Sequence, residues 1–552
     1  MRKGIALWLV LCCVWQGFAF DHGVNSINRR LNQGIDAPRY APGQLLVKFR
    51  QGVSPTEQAW VRQLAGAQVL DVKGTLGVEL WQVSPLADVP ALCQQLLRSG
   101  WVEIADPNWL LQLADWTPND PLFPQQPALT HIGCPQAWDY WRGSNQFIVA
   151  VLDTGVPTTH PDLQAKLLPG YDFGNDDNDP SDPFGHGSFV AGIAGAVTNN
   201  GIGVACIAPE GRVLPLKVFT DGGQGYLNDL IDGVNYAVAQ GAHVINMSLG
   251  STTAMPSFQT ALNAAWNAGV VIVAAAGNNN NTVAFYPAYY SVCIAVAASN
   301  LDDTKSSVST YGSWVDVAAP SGDVYSTTST GGYGRNTNGY TSYASPMVAA
   351  QALLLYPLVA DGPSDRSLAR AQAVRTLIES TAVPVPGNYV AYGRISVVNS
   401  VMAALTVPIS GRITMNGFSG SYNGRTVEVS LRPLNSSTVL TTALATANST
   451  GNYSVSFFNY LGYYDLAIRA QGTLRKRVAN QRVRYPGLNN VNVVLTPGDI
   501  NGDNVIDDAD LLTVLFDFGQ TGANLASDLN GDGVVDDADL LTVLFNFGQS
   551  GE

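Results

Sequence analysis

Charge is scarce in this 552-residue chain: Asp, Glu, Lys and Arg together make up 13% of it, against 46% hydrophobic residues and 55 glycines. That balance excludes a charge-rich disordered protein and reads as globular. Cysteine is scarcer still. Cys12 and Cys13 sit in an N-terminal apolar run, and Cys93, Cys134, Cys206 and Cys293 are irregularly spaced, which excludes a disulfide scaffold. Cys206 and Cys293 lie in apolar runs and are expected in a core. No stretch reaches the ~18 apolar residues of a comfortable membrane span. Histidine occurs only 5 times, so a histidine in a distinctive setting carries information. The last absence is local: residues 498–552 contain no Lys or Arg. Their eleven Asp and one Glu give −12 of the net −14, leaving about −2 for the other 497 residues. The acidity belongs to one C-terminal module and points to cations, not nucleic acid, as its partner.

A chain this long exceeds one core, so three or more domains are expected. Met1-Arg2-Lys3, the apolar Gly4–Trp15 and the small-residue site Gly17-Phe18-Ala19 read as a signal peptide over 1–19, implying secretion. No small residue precedes Cys12 or Cys13 as a lipid-anchor signal requires. Residues 40–114 alternate strand-like segments (Gln44–Phe49, Val78–Val83, Trp101–Ile104) with helical ones (Glu57–Ala65, Val89–Leu97), a small α+β unit. Over 118–405 the pattern changes. Short apolar strands (Phe147–Leu152, Val213–Val218, His243–Met247, Val270–Ala275, Val292–Ala297) alternate with helical segments such as Leu227–Ala239 and Phe258–Ala268. That is the signature of a parallel sheet covered by helices on both faces, with sites at the carboxyl ends of strands. Residues 406–497 show period-two alternation (Val427/Val429/Leu431, Tyr453/Val455/Phe457, Val491/Val493/Leu495) between turns. They read as a small antiparallel β-sandwich, either spacer or binding module.

Three short segments in the α/β region stand out. Leu152-Asp153-Thr154-Gly155 ends a buried strand with a carboxylate. Gly185-His186-Gly187-Ser188 places a histidine between glycines at the start of an apolar run. Asn338-Gly339-Tyr340-Thr341-Ser342 is a polar turn that delivers a serine to the start of an Ala-rich helix. Taken alone, Ser342 reads first as a helix cap. A serine hydroxyl needs an adjacent base, imidazole titrates in the useful range, and a carboxylate fixes the imidazole tautomer. Asp153, His186 and Ser342 together, each in a glycine-bearing segment, therefore argue for nucleophilic catalysis.

These segments, in this order and 33 and 156 residues apart, resemble those of the subtilisin-like serine peptidases over about residues 118–405. The resemblance implies that Asp153 orients the base, His186 is general base and acid, and Ser342 is the nucleophile that cleaves polypeptide substrates. Ala275-Ala276-Gly277-Asn278 is similar to the family's oxyanion segment, with Asn278 the donor; read alone, Asn278 is a turn residue. Ser248-Leu249-Gly250 resembles the substrate-binding strand, and Phe285 falls where the family has the floor of its P1 pocket. The chain departs from the usual Gly-Thr-Ser-Met-Ala-x-Pro-His at Tyr340, Tyr343 and Met347. Segment 44–109 resembles the family's inhibitory propeptides, and Asp115–Pro124 suits cleavage by the enzyme itself. Asp162 and Asn200, in His160-Pro161-Asp162-Leu163 and Asn199-Asn200-Gly201-Ile202-Gly203-Val204, resemble the family's first calcium site. The five aspartates within 172–182 either bind Ca²⁺ or form a solvated loop.

The tail is an internal repeat: Asp499–Leu512 returns 29 residues later as Asp528–Leu541. Oxygen ligands for Ca²⁺ fall at Asp499, Asn501, Asp503, Asp507 and Asp510, with the Val505 carbonyl. In the second copy they fall at Asp528, Asn530, Asp532, Asp536 and Asp539, with the Val534 carbonyl. Asp at the twelfth position followed by Leu-Leu resembles type I dockerin repeats. That implies a cohesin-like partner, although Asp508-Ala509 and Asp537-Ala538 replace the usual Ser-Thr. A module that merely folds with calcium is the plainer reading. The whole chain thus reads as a secreted, propeptide-bearing α/β endopeptidase with a β-sandwich and a small helical Ca²⁺-binding tail. The rival reading is an inactive peptidase fold acting as a scaffold, with Tyr340 in its favour.

Overall fold

The computed structural model describes residues 40–73, 77–84, 87–109, 116–522 and 525–552. The expected signal peptide and Asp115, first residue of the expected cleavage junction, lie outside them. The chain divides into two compact units, Met1–Ala114 and Asp115–Glu552.

The first unit runs β1 (Tyr40–Phe49), α1 (Pro55–Leu64), β2 (Gln68–Lys73), β3 (Val78–Gln82), α2 (Val89–Arg98), β4 (Val102–Trp109). The strands pair antiparallel in the order β2-β3-β1-β4. Alternation sends Leu45, Val47 and Trp81 inward to meet Val61 of α1 and Cys93 and Leu96 of α2. Helix α1 starts where Ser54 and Glu57 satisfy each other's backbone N–H groups. Strand β2 is absent from the sequence expectation. Its Val69, Leu70 and Val72 are all exposed, so it has no alternating apolar face to read.

The second unit begins with short helices α3 (Pro127–His131) and α4 (Cys134–Trp138). It continues through β5 (Ile148–Asp153), β6 (Tyr171–Asp172), α5 (His186–Gly195), β7 (Arg212–Lys217), α6 (Leu227–Ala239), β8 (Val244–Met247), α7 (Pro256–Asn267), β9 (Val271–Ala275) and β10 (Cys293–Ser299). Next come β11 (Val317–Pro320), the hairpin β12 (Val324–Thr327) and β13 (Tyr333–Asn336), α8 (Thr341–Val359), α9 (Leu368–Ser380), β14 (Gly393–Arg394) and α10 (Val397–Leu405). Eight strands form a parallel sheet in the order β14-β11-β10-β9-β8-β5-β7-β6. Alternate residues of the same strands feed two cores. Val149, Val151, Val244 and Val273 face α8, whereas Ala150, Leu152, Ile245 and Ile272 face α6 and α7. Burial on both faces is why these strands read as continuous apolar runs. Helix α8 is long and apolar enough to cross a membrane, but it is 89% buried and is the core helix of this layer. Cys206 and Cys293 are buried and free, as expected.

Beyond α10, β15 (Thr406–Met415), β16 (Thr426–Arg432), β17 (Thr441–Thr446), β18 (Asn452–Phe458), β19 (Gly462–Ala470), β20 (Lys476–Val483) and β21 (Val493–Leu495) form two sheets, β18-β15-β21 and β17-β16-β19-β20, around one apolar core. One detail corrects the all-antiparallel expectation: β21 pairs with β15 in parallel, Ile413 opposite Val493. Period-two alternation is the same for either direction, so the sequence pattern could not tell them apart. This region is fastened to the parallel-sheet layer. Arg482 and Arg484 share Asp361 and donate to the Pro357, Leu358 and Val359 carbonyls at the C-terminus of α8. A cation there complements the helix dipole.

The tail carries α11 (Asp508–Asp517) and α12 (Asp537–Phe545), each preceded by an acidic loop. Arg469 donates to Gly502 O, Arg425 to Asp528 O and Ser419 N–H to Asn530 O, so both loops rest on the two-sheet region. The opposite helix faces are bare: Phe516 is 84% and Phe545 81% exposed.

Candidate active site

Asp153 ends β5 at the carboxyl edge of the sheet, 1% exposed. Its Oδ1 lies 2.7 Å from His186 Nδ1 and accepts the Thr154 N–H at 2.8 Å. His186 is the first residue of α5. The glycines on either side have different causes: Gly185 takes a left-handed φ of 92°, and a Cβ on Gly187 would lie 2.2 Å from the Gly155 carbonyl. Burial pulls the imidazole down, but the Asp153 charge and hydrogen bond, with help from Asp182, outweigh it. His186 therefore titrates above its ordinary value.

Ser342 is the second residue of α8. The turn before it places its positive φ on Gly339 (67°), while Tyr340 adopts ordinary extended backbone. A tyrosine at 340 is therefore compatible with the turn that presents Ser342. Ser342 Oγ points at the Ser248 carbonyl, 3.4 Å away, and Ser248 Oγ donates to Ser342 O at 2.8 Å. Tyr343 carries the connection to the base: its ring lies 5.9 Å from that of His186 and 4.6 Å from that of Phe189.

Asn278 follows the end of β9. Its Oδ1 accepts from Thr341 N–H (2.8 Å) and Thr341 Oγ1 (3.0 Å), which leaves the Nδ2 donor for the cleft. Ser248, Leu249, Gly250, Asn278, Phe285 and Ser342 all line one cleft of about 260 Å³. The Phe285 ring fills its glycine-lined side: a Cβ on Gly250 would come within 2.5 Å of it, and one on Gly277 within 3.1 Å.

The expected metal residues are placed differently. Asp162 is fully buried, but it accepts from Asn200 Nδ2 (2.7 Å) and Val204 N–H (3.0 Å), so the amide nitrogen of Asn200 faces it rather than the oxygen. Of the five aspartates in 172–182, Asp172 pairs with Lys217 at 2.6 Å and Asp182 is consumed by internal donors. Among the described residues no three Asp, Glu, His or Cys side chains converge as a metal cluster. In the tail, Asp499 Oδ1 and Oδ2 accept from Gly502 and Asn504 N–H (2.8 and 3.1 Å), and Asp528 does the same from Gly531 and Gly533 (2.7 and 3.0 Å). Asp510 and Asp539 reach back to the first residues of their loops. Asn501 and Asn530 donate to Asp503 and Asp532, and Asp507 and Asp536 cap the helices that follow. Val505 and Val534 donate their N–H groups to Asp503 and Asp532. The two loops are thus built alike. Asp499, Asp510, Asp528 and Asp539 are buried, and burial pushes the Asp499 and Asp539 carboxyls up.

Sequence reasoning grouped Asp182 with the loop aspartates, as a Ca²⁺ ligand or solvated residue, and missed its hydrogen bonds from Thr154 and Ser188. The available signal was an aspartate four residues before His186, at the mouth of a helix.

A parallel α/β sheet with a carboxylate-imidazole pair at its carboxyl edge and a serine at a buried helix N-terminus defines a serine hydrolase. The comparisons specify which. Residues 144–408 match the subtilase family, and residues 28–108 match the fervidolysin N-terminal prodomain. The chain is 38% identical over 386 residues to a thermophilic serine proteinase of Bacillus sp. (strain AK1), covering 67% of this chain and 93% of that protein. It is 46% identical over 289 residues to thermitase of Thermoactinomyces vulgaris, covering 52% and 99%. It is 31% identical over 385 residues to a halolysin-like extracellular serine protease of Natrialba magadii, covering 67% and 68%. The chain belongs to the subtilase family: it is a serine-type endopeptidase with a prodomain-like N-terminal region, and its substrates are polypeptides.

Proposed function

We propose that the protein is a secreted endopeptidase, autoprocessed from a proenzyme, that works through Asp153, His186 and Ser342. The observation that carries this is the 2.7 Å Asp153–His186 bond beside a helix whose N-terminus presents Ser342 to the same cleft as Asn278. A substrate strand would pair with Ser248-Leu249-Gly250 through its backbone. Ser342 Oγ attacks the scissile carbonyl while His186 Nε2 takes its proton, and Asp153 holds the resulting imidazolium. Charge developing on the carbonyl oxygen is met by Asn278 Nδ2 and the Ser342 N–H. Neither donor reorganises during the reaction, and each is worth roughly 3 kcal/mol in the transition state. His186 then returns the proton to the leaving amine, and a water activated in the same way releases the acyl group.

Maturation follows from the same chemistry. The segment before Asp115–Pro124 is the first substrate, and the new N-terminus falls near residues 112–120. N-terminal sequencing tests this: Ser342→Ala made in a protease-deficient host should stay uncut, and full processing of that variant would refute self-cleavage. Extracellular relatives support secretion.

The two-sheet region reads as a β-sandwich that carries a dockerin-like tail. Asp499, Asn501, Asp503, Asp507 and Asp510, with the Val505 carbonyl, would hold one Ca²⁺. Their counterparts Asp528, Asn530, Asp532, Asp536 and Asp539, with Val534, would hold a second. The fit rests on buried carboxylates in a segment that has no basic side chain of its own. The ion would supply charge neutralisation and fold stability there, not catalysis. Asp162 and Asn200 would hold a cation only with the Asn200 amide turned. The bare Leu512/Leu515/Phe516 and Leu541/Leu544/Phe545 faces suit a cohesin-like protein partner.

A further inference from the structure

The catalytic aspartate is less well anchored than its burial demands. Asp153 Oδ2 is buried without a hydrogen-bond partner, so the carboxylate is steered through Oδ1 alone. The lysine opposite Asp153 in the sheet register, Lys217, is turned away to Asp172 and Asp221. What anchors the pair is a second carboxylate.

Asp182 is 5% exposed and accepts five hydrogen bonds. Its Oδ1 takes the Thr154 hydroxyl (2.9 Å) and the Phe184 and Gly185 N–H groups (3.1 and 2.8 Å). Its Oδ2 takes the Ser188 N–H (2.7 Å) and the Ser188 hydroxyl (2.5 Å). Thr154 Oγ1 in turn accepts the Gly187 N–H at 2.8 Å. Thr154 is the neighbour of Asp153, whereas Gly185, Gly187 and Ser188 bracket His186. The network therefore grips both sides of the Asp153–His186 bond. Its charge also suits the place: N–H groups at the start of α5 have no intrahelical partner, and the dipole there favours an anion.

We propose that Asp182 is a positioning residue for the catalytic pair, fixing His186 through the helix it begins and Asp153 through Thr154. The inference rests on Asp153 and His186 being that pair. The titratable groups facing the imidazole are Asp153 from β5, Asp182 from the preceding loop and the Tyr343 phenol from α8; β12 presents only the Ser326 and Thr327 hydroxyls to α5. Asp172, Asp177, Asp179 and Asp221 line the cleft on the far side of Asp182. Removing the Asp182 charge takes away one of the two anions that favour the imidazolium, so the His186 titration should move to lower pH.

The test compares full-length Asp182→Asn, Thr154→Val and Ser188→Ala with the parent, each normalised to sites titrated by an active-site-directed phosphonate. Asp182→Asn should lower kcat at least tenfold with KM within twofold, and the acid limb of kcat/KM should move to lower pH. Thr154→Val cuts a tether without changing charge, so kcat should fall while the limb stays in place. If Asp182→Asn fails to mature, Thr154→Val and Ser188→Ala decide the matter, because each should lower kcat with the thermal midpoint preserved. Asp182→Asn with parental kcat, or with lowered kcat and an unmoved acid limb, overturns the proposal. So does parental kcat in both hydroxyl variants. Persistent activity in His186→Ala would instead remove the underlying assignment of the pair.

Discussion

Phe285 should decide which side chain the enzyme accepts at the cleavage point. Its ring closes one side of a cleft of about 260 Å³, standing against Gly250 and Gly277, where a bulky substrate side chain would otherwise lie. In Phe285→Gly the ring is gone and the cleft widens beside both glycines. Each methylene a substrate then buries is worth about 0.8 kcal/mol. A pocket enlarged by a few such groups changes discrimination by roughly 1–3 kcal/mol, or 10–200-fold. Peptide anilides that differ only in the residue before the scissile bond make the assay. The parent should favour Ala or Leu over Phe, and the variant should raise the kcat/KM ratio of Phe to Ala by at least tenfold. Phe285 is only half-buried, so a folded variant is expected. An identical cleavage profile in folded, titratable enzyme would take Phe285 out of the pocket.

Acid should silence the enzyme earlier than a free imidazole predicts. Because Asp153 raises the His186 titration, the acid limb of kcat/KM should lie above 6.5. The protonated pair stabilises the fold fully below the unfolded value and loses that contribution as pH rises through the folded one, so activity appears as that contribution fades. A limb at or below 6.5 in a kcat/KM profile would contradict the Asp153–His186 coupling. Calcium should stabilise the full-length Ser342→Ala chain against heat, by about 2.7 kcal/mol for each bound ion at a hundredfold excess over Kd. Asp499→Ala combined with Asp528→Ala should abolish the difference between calcium and chelator in calorimetry, and an unchanged difference would place the ion elsewhere.

Much of this site is legible along the chain because its chemistry is local. Asp153 closes an apolar strand, His186 stands between a glycine with left-handed backbone and one crowded by the Gly155 carbonyl, and Ser342 opens an apolar helix. The buried strands are equally plain, because burial on both faces leaves an unbroken apolar run. What stays hidden depends on distant partners. Asp182 looks like one of five loop aspartates until Thr154, 28 residues earlier, is seen to donate to it. Asp172 looks like a cation ligand until Lys217 arrives from a neighbouring strand. Tyr340 looks disruptive until Gly339 is found to carry the left-handed step. The two-residue strands β6 and β14 carry too few residues for any period to register.

The central claim is that Ser342 is the nucleophile of a working peptidase, and replacing that one hydroxyl tests it most directly. Once its N-terminal region has been removed in trans by the parent enzyme, Ser342→Ala should share the parent's circular dichroism and thermal midpoint, since the hydroxyl makes only one long contact, to Ser248 O at 3.4 Å. Casein hydrolysis by the variant should fall on the order of 10⁶-fold, the scale known for loss of the nucleophile in subtilisin itself. A folded Ser342→Ala protein that still cleaves casein at the parental rate would contradict the account.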